Sequence, residues 1–229
     1  LHLLSRRQRQ MCIRDSFKSV YAGMGSFMLP VSMGEKYKAI VSTTEGIKKE
    51  FSLPEPEANR LALSITERNG VIHYTILHTP QKKLSENLYL VAHIRGFLLF
   101  IQPIEKEQGA INLQSVPEGI LTLTILDGNY LPHSERLAFV RRENNSVWKL
   151  TPDKSSYDSR SPVSLDIHLS DLSGQPIKGN FSLSVTDNYA IGCDSIGDNI
   201  LSNLLLTSDL KGYIETPGYY FKNNTQRLK

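Results

Sequence analysis

Apolar and polar residues alternate with a period of two along most of the chain after residue 16. Between 162 and 171 the apolar side chains occupy odd positions and polar side chains stand between them. This period is typical of an antiparallel strand that buries one face. The segment 179–187 alternates in the same way, and Gly174 and Pro176 interrupt the chain between the two segments. We therefore predict a β-hairpin over 162–187.

Seven further strand candidates lie between residues 60 and 142. Turn residues such as Asn69-Gly70 and Asp127-Gly128-Asn129 separate them. Short strands at this density are typical of immunoglobulin-like or fibronectin-like β-sandwiches, although the Cys…Trp…Cys spacing of antibody domains is absent. The seven candidates are 60–66, 71–77, 87–95, 97–104, 110–113, 120–126 and 136–142.

The two flanks of this region differ from each other. Before it, three strands are predicted at 26–29, 37–43 and 48–54, followed by a proline-containing linker at 53–57. After it, leucines at helical spacing predict one helix over 198–211, with Asp198 as its N-cap and Gly212 just beyond its end.

Together these elements predict an all-β fold of tandem immunoglobulin- or fibronectin-like sandwiches with one short helix near 198–211. Four segments follow from the pattern. Residues 1–16 form a leader. Residues 17–57 are the C-terminal part of a truncated β-domain plus a linker, because three strands make an incomplete sandwich. Residues 58–145 form a complete sandwich. Residues 146–229 form a second sandwich module with the helical segment, which we also expect to be truncated.

The leader carries the whole net charge of the chain. The full sequence has 26 basic and 23 acidic residues, a formal net charge of +3. Residues 1–16 contain four arginines and one aspartate, so the remaining 213 residues are neutral. The stretch RRQRQMCIRDS resembles translated sequencing-adapter read-through. The alternatives are a disordered leader or a basic arm that binds nucleic acid or lipid head groups. A neutral remainder with interspersed charges does not favour nucleic-acid binding.

Candidate catalytic and metal-binding residues do not form any recognised constellation. Cys12 lies in the leader, and Cys193 has no histidine near it in sequence that would activate a thiol. No His-x-His pair, Asp-x-Asp-x-Asp-Gly loop, Gly-x-Ser-x-Gly elbow or phosphate-binding loop is present. We therefore predict no catalytic, cofactor-binding or metal-binding residue and no cofactor. The aromatic residues Tyr213, Tyr219, Tyr220 and Phe221 are expected to cover the helix and the sandwich edge, or to form a contact surface.

Residues 148–187 carry a series of motifs in a characteristic order. The series resembles the macroglobulin-type module of the alpha-2-macroglobulin superfamily, and the flanking segments resemble neighbouring parts of large bacterial envelope proteins. The motifs are Asp153-Lys154-Ser155-Ser156-Tyr157, Ser161-Pro162, the alternating strand 163–169, Asp171-Leu172-Ser173-Gly174-Gln175-Pro176 and Ser182-Leu183-Ser184-Val185-Thr186-Asp187.

The resemblance implies macroglobulin-like modules at 58–145 and 146–229 and a non-enzymatic structural or protein-interaction role. It places the protein in the periplasm, at the outer membrane or on the surface of a Gram-negative bacterium, with an inherited context of TonB-dependent transport. The thioester motif of protease-trapping relatives is absent. Expected partners are proteins or further domains of the same longer chain, not nucleic acid, and no apolar run of membrane-spanning length occurs. Two alternatives stay open: accessory sandwiches of a secreted peptide- or glycan-processing enzyme, and an adhesion or glycan-binding module.

Overall fold

The computed structural model describes residues 2–7, 10–19, 24–79, 87–142, 146–187, 189, 192 and 196–221, with side chains from residue 18 onwards. It is a mostly β structure of several antiparallel sheets with one short α-helix, which confirms the all-β prediction. The chain divides into two compact units. Unit 1 comprises Leu1–Val140 and Gly197–Lys229, and unit 2 comprises Arg141–Ile196. The helical segment therefore belongs to unit 1, whereas the sequence analysis grouped it with 146–229.

The main body of unit 1 is a β-sandwich of seven strands: β5 (Leu61–Arg68), β6 (Val71–His78), β7 (Tyr89–Ile94), β8 (Phe97–Pro103), β9 (Gln108–Asn112), β10 (Gly119–Leu126) and β11 (Pro132–Val140). One sheet has three strands in the order β5-β6-β9, and the other has four in the order β11-β10-β7-β8. All neighbouring strands are antiparallel. A short 3₁₀ turn at Leu113–Ser115 lies between β9 and β10.

Alternating side chains of both sheets fill the space between them. Strand β10 is central and nearly fully buried: Leu121, Leu123 and Ile125 face the core with 0 % exposure. The opposing sheet contributes residues such as Leu63 and Ile72, each 1 % exposed. Interleaving of apolar side chains from two inner faces is the packing that stabilises a sandwich.

Two of the hairpins have the same two-residue turn. Asn69 and Gly70 connect β5 to β6, and Arg95 and Gly96 connect β7 to β8. All four residues have positive φ, between 50° and 76°. A two-residue hairpin requires this left-handed backbone at both positions, and Asn-Gly is its preferred sequence. The sequence predicted the first turn but gave no reason to expect an arginine in the second.

A third sheet of unit 1 is formed by the N-terminal part of the chain. Its order is β2-β1-β3-β4, formed by β1 (His2–Arg7), β2 (Gln10–Lys18), β3 (Tyr37–Ser42) and β4 (Lys48–Ser52). The two strands predicted at 37–43 and 48–54 are present, but 26–29 is not a strand. Strand β1, which lies within the leader, is paired with both β2 and β3. Strand pairing does not bear on the origin of a coding sequence, so the adapter interpretation of 1–16 stays a prediction.

The C-terminal part of unit 1 contains the predicted helix in a shorter form. Helix α1 covers Ile200–Ser202 and continues as a π-helical turn over Asn203–Thr207. Its N-cap is Asn199, whose side chain accepts hydrogen bonds from the N–H groups of Leu201 and Ser202. The prediction of Asp198 as the cap was therefore wrong by one residue. Asp198 instead accepts a hydrogen bond from the Ser202 hydroxyl at 2.5 Å.

Unit 2 contains a two-stranded antiparallel sheet, formed by β12 (Ser146–Pro152) and β13 (Leu165–Asp171). The predicted strand near 162–171 is thus present, but its neighbour is β12, which precedes it in the chain. The strand predicted over 179–187 was wrong, because these residues form no strand. After β13 the chain forms an isolated bridge between Ser170 and Pro176, and the Ile177 N–H donates to the Leu169 carbonyl.

Candidate interaction surface

The sheet of unit 2 has one apolar face and one polar face. Its register pairs Trp148 with Leu169 and Leu150 with Ile167. Directly opposed residues of an antiparallel pair project to the same side, so consecutive pairs alternate between the two faces. We call one side the apolar face and the other the polar face. The apolar face comprises Trp148, Leu150, Pro152, Leu165, Ile167 and Leu169, with the polar pair Ser146 and Asp171 at its end, and the polar face comprises Val147, Lys149, Thr151, Asp166, His168 and Ser170.

Much of the apolar face is exposed to solvent. Trp148 and Leu150 are each 57 % exposed and Ile167 is 39 % exposed, whereas Leu165 and Leu169 are half-buried. A half-buried strand pair in a soluble sandwich normally keeps such a face covered by a second sheet. Contiguous apolar surface of this kind marks sites of protein contact.

Part of this face is covered by residues that follow β13. We call residues 177–187 the strap. The ring of Phe181 packs against Trp148 edge to face, with centroids 5.4 Å apart. A Cβ placed on Gly179 would lie 3.3 Å from Cδ2 of Leu169, so the strap backbone passes closely over that side chain. Beyond Phe181 the strap leaves the face, and Leu183 and Val185 are 63 % and 85 % exposed.

The loop between β12 and β13 is closed by Asp153. One of its carboxylate oxygens accepts hydrogen bonds from the Tyr157 hydroxyl at 2.6 Å and from the Ser164 N–H at 3.0 Å. The Tyr157 hydrogen bond is the main reason why the pKa of Asp153 lies below its usual value, and it also raises the pKa of Tyr157. The Asp-Lys-x-x-Tyr motif thus fixes the chain that enters β13.

The turn after β13 is closed by Asp171 in a similar way. Its carboxylate accepts hydrogen bonds from the Ser173 hydroxyl at 2.7 Å, the Ser173 N–H at 2.9 Å and the Gln175 N–H at 2.8 Å. These bonds, with the Ser173 hydroxyl foremost, lower the pKa of Asp171. Gly174 completes the turn with a φ of +83°, which favours glycine. The Asp-x-x-Gly-x-Pro motif is therefore a turn motif that orients the strap.

A second exposed apolar surface lies on unit 1. Strand β8 is at the edge of the four-stranded sheet, and its residues Phe97, Leu98 and Ile101 are 77 %, 57 % and 50 % exposed. Edge strands carry backbone groups that can pair with another strand. A bulge at Leu99 interrupts the register of this edge, which makes continuous pairing along it harder.

The aromatic residues singled out in the sequence occupy different environments. Phe221 packs edge to face against Phe139 of β11, with ring centroids 5.6 Å apart, and Tyr219 contacts Tyr220 at 5.6 Å. Tyr213 is 92 % exposed. Three of the four therefore lie in or beside the 3₁₀ turn Pro217–Phe221 and are half-buried, as expected for residues that cover the sandwich edge.

The histidine and acidic side chains in the described ranges are dispersed over the structure. His78 lies 2.9 Å from Glu107, and His133 lies 3.2 Å from Asp127, each as a separate pair. Within the described ranges no three His, Cys, Asp or Glu side chains come together in a way that could hold a metal ion. Cys193 and Asp194 lie outside the described residues. Strand β12 was not predicted, although its Trp148 and Leu150 alternate with Lys149 and Thr151.

Comparison with known proteins does not assign this chain to a family. No protein-family model matches the chain, and no curated protein matches it either. None of the helices in the described part of the chain is both long and apolar enough to cross a membrane. The macroglobulin resemblance therefore stays a prediction that rests on the motifs themselves.

Proposed function

We propose that this chain is a non-catalytic structural and protein-interaction segment of a large bacterial envelope protein with macroglobulin-like modules. The proposal places it in the periplasm, at the outer membrane or on the surface of a Gram-negative bacterium, in a context of TonB-dependent transport. The observation that carries the interaction role is the apolar face, with Trp148 and Leu150 more than half exposed. The envelope context rests on the motif order over 148–187.

The partner that suits this face is another β-sandwich module of the same longer protein. Apart from the pair Ser146–Asp171 at one end, the face lacks charged side chains and is backed by a polar face, so its chemistry matches the inner side of a second sheet. The two motif turns, closed by Asp153 and Asp171, hold β13 at both ends and keep the apolar face in one orientation. A rigid platform of this kind favours binding, because little conformational entropy is lost on association.

The test begins with the gene at its source. The reading frame around this segment identifies the neighbouring modules, which are then purified in tryptophan-free form and titrated against the full chain. Trp148 is the single tryptophan of the chain, so its emission reports on the apolar face. Burial of Trp148 should move its emission to shorter wavelength. A neighbouring plug domain would support the transport context, and a neighbouring catalytic domain would favour the accessory-module alternative.

Two variants test whether the partner binds to the apolar face or to another surface of the molecule. Leu150→Lys places a charge in the middle of the apolar face and should weaken binding at least tenfold, since an unpaired charge is costly to bury. Lys149→Glu alters the neighbouring position on the polar face and should leave the affinity unchanged. Equal affinities for both variants, or binding with no change in Trp148 emission, would exclude the apolar face as the site.

The enzymatic alternative has its own test. The full chain should show no hydrolysis on panels of peptide and glycan substrates. Turnover would contradict the non-catalytic proposal, and turnover lost in Cys193→Ala would assign a catalytic role to that thiol.

Adhesion or glycan binding is a second candidate. The observation that favours it is the exposure of apolar side chains on the edge strand β8 and of the Tyr213 ring. Phe97→Ser and Tyr213→Ser should reduce binding to a glycan array if these surfaces bind sugars. Unchanged binding in both variants would contradict this candidate.

A further inference from the structure

The strap begins as a partner of β13 and then leaves it. The Asp171 N–H donates to the Gln175 carbonyl at 2.9 Å, and the Ile177 N–H donates to the Leu169 carbonyl at 2.9 Å. Ser170 and Pro176 form the bridge between these two pairs. All three pairs share one register, in which each step back along β13 matches one step forward along the strap.

The sequence of the strap is suited to continue this register as a strand. Beyond Ile177, its apolar residues Phe181, Leu183 and Val185 recur at every second position, with polar residues between them. In the shared register Phe181 would stand opposite Leu165 and Leu183 opposite Val163. All of these side chains would fall on the side of the apolar face, because opposed residues project to the same side.

The backbone of β13 also has an open edge for such a strand. The Leu169 carbonyl and the Asp171 N–H point away from β12, so by the alternation of an antiparallel ladder the backbone groups of Ile167 and Leu165 point the same way. Among the residues that the structure describes, β12 is the only strand paired with β13. Pro176 lies at a bridge position that needs no N–H donor towards β13, so it does not obstruct the pairing.

We infer that the strap has two positions: the observed one, in which Gly179 and Phe181 lie over the apolar face, and a second one, in which residues 177–183 form a third strand along β13. The two positions exclude each other. A third strand places Phe181 four residue pairs further along the sheet than Trp148 and on the far side of β13, out of contact with that ring. The strap therefore controls how much of the apolar face is exposed.

The exchange of the strap between these two positions goes beyond the proposed function and does not need a partner. The third strand would give backbone hydrogen bonds to Gly179 and Phe181 and would bring the exposed Val163 and Leu183 together. The observed position instead gives the contact between Phe181 and Trp148. Only one consequence rests on the proposed function, namely that the uncovered apolar face can then bind another module.

Disulfide trapping in the full chain tests the second position. In the shared register Asp166 and Asn180 form a pair without mutual backbone hydrogen bonds, with Cα atoms about 4.5 Å apart. This separation is within the range of a disulfide. The variant combines Asp166→Cys and Asn180→Cys with Cys12→Ser and Cys193→Ser. Both cysteines would replace exposed polar residues, so the fold of unit 2 is retained.

The matched control is Asp166→Cys with Lys178→Cys in the same background. Lys178 would be on the same side as Asn180 but diagonal to Asp166, at about 7–8 Å. The Asp166/Asn180 pair should oxidise at least tenfold faster than the Asp166/Lys178 pair. Equal rates, or faster oxidation of the control pair, would overturn the proposal. A strap that moved without a fixed strand register would bring positions 178 and 180 to position 166 equally often.

Two readouts on the oxidised Asp166/Asn180 variant examine the exchange of positions. Quenching of Trp148 by acrylamide should increase on oxidation, since Phe181 no longer covers the ring. Amide exchange should slow at Gly179 and Phe181 but not at Asn180, because only alternate N–H groups of the strap point towards β13. Unchanged quenching, or uniform exchange across 179–181, would overturn it. No partner takes part in these measurements, so their failure would leave the test of the proposed function intact.

Discussion

The guanidinium of Arg95 reaches Asp209 across 114 residues of sequence, with Nε 3.2 Å from the carboxylate. A second nitrogen of the same guanidinium donates to the carbonyl of Leu204, in the π-helical turn. Arg95 is itself held in a left-handed conformation, with a φ of +50°, in the tight turn between β7 and β8. The turn thus directs one long side chain onto the helical segment of unit 1.

We expect Arg95→Asn to loosen this helical segment and leave the sandwich folded. Asparagine tolerates the left-handed backbone but is too short to reach Asp209 or Leu204. The loss should be about 1 kcal/mol, as for a partly exposed ion pair. Amide exchange over 200–207 should become several-fold faster, while exchange in β10 stays unchanged. Slower or unchanged exchange over 200–207 would show that Arg95 does not hold the segment.

Leu123 provides the corresponding test of the sandwich core. It is 0 % exposed in the central strand β10. Leu123→Ala should lower the free energy of unfolding by about 2–5 kcal/mol, since it removes buried methyl groups and leaves a cavity. Leu98→Ala, at a position that is 57 % exposed, should change it by less than about 0.5 kcal/mol. Urea denaturation followed by circular dichroism measures both, and equal losses would contradict the assigned core.

Local turn chemistry explains which hairpins could be predicted from the sequence. Asn69-Gly70 suits left-handed backbone at both positions, so the β5–β6 hairpin follows from the residues themselves. Arg95-Gly96 has the same geometry, but arginine has no intrinsic preference for it. Its side-chain contacts are with residues far away in sequence, and no local pattern encodes such contacts.

The apolar side of β13 could be predicted from the sequence, but the strand that lies beside β13 could not. Alternation over 162–171 identified the apolar side of β13, because alternation records which side chains share a face. It does not record which backbone lies alongside. The same alternation therefore predicted a strand over 179–187, where pairing ends at Ile177, and gave no indication that β12 is the neighbour of β13.

Gly109 is a position in β9 where a side chain would not fit. It stands opposite Tyr74 of β6, and a Cβ there would overlap the Tyr74 ring, which is only 7 % exposed. We expect Gly109→Ala to destabilise the chain by about 1–3 kcal/mol through overpacking. Denaturant unfolding measures the loss. Gly192→Ala is the control, because among the residues that the structure describes no atom lies within 4 Å of the added methyl group.

A double-mutant cycle assigns the Gly109 effect to Tyr74. Tyr74→Leu removes the ring that the new methyl group would meet. The combined variant should therefore lose less stability than the two single variants added together, by about 0.5 kcal/mol or more. Additive losses would mean that the added methyl group clashes with atoms other than those of the Tyr74 ring.

Asp127 makes the turn between β10 and β11 sensitive to acid. Its carboxylate accepts hydrogen bonds from the Leu131 N–H at 3.0 Å and the Asn129 N–H at 2.8 Å, and His133 lies at 3.2 Å. These partners, the Leu131 N–H foremost, hold the pKa of Asp127 below its usual value. A carboxyl whose pKa is lower in the folded state stabilises the fold above the unfolded-state pKa of about 3.9, and this contribution is lost as the pH falls through the folded-state pKa.

Asp127→Asn isolates that contribution, because asparagine keeps an oxygen acceptor but has no charge. Urea denaturation should show the variant less stable than the native chain by a constant amount at pH 7 and pH 5, with the difference shrinking towards pH 3. Asp127→Ala also removes the acceptor and should be less stable than Asp127→Asn at every pH. A difference between the native chain and Asp127→Asn that grows below pH 4 would have the opposite sign and would contradict the assignment, since protonation would then be stabilising the turn.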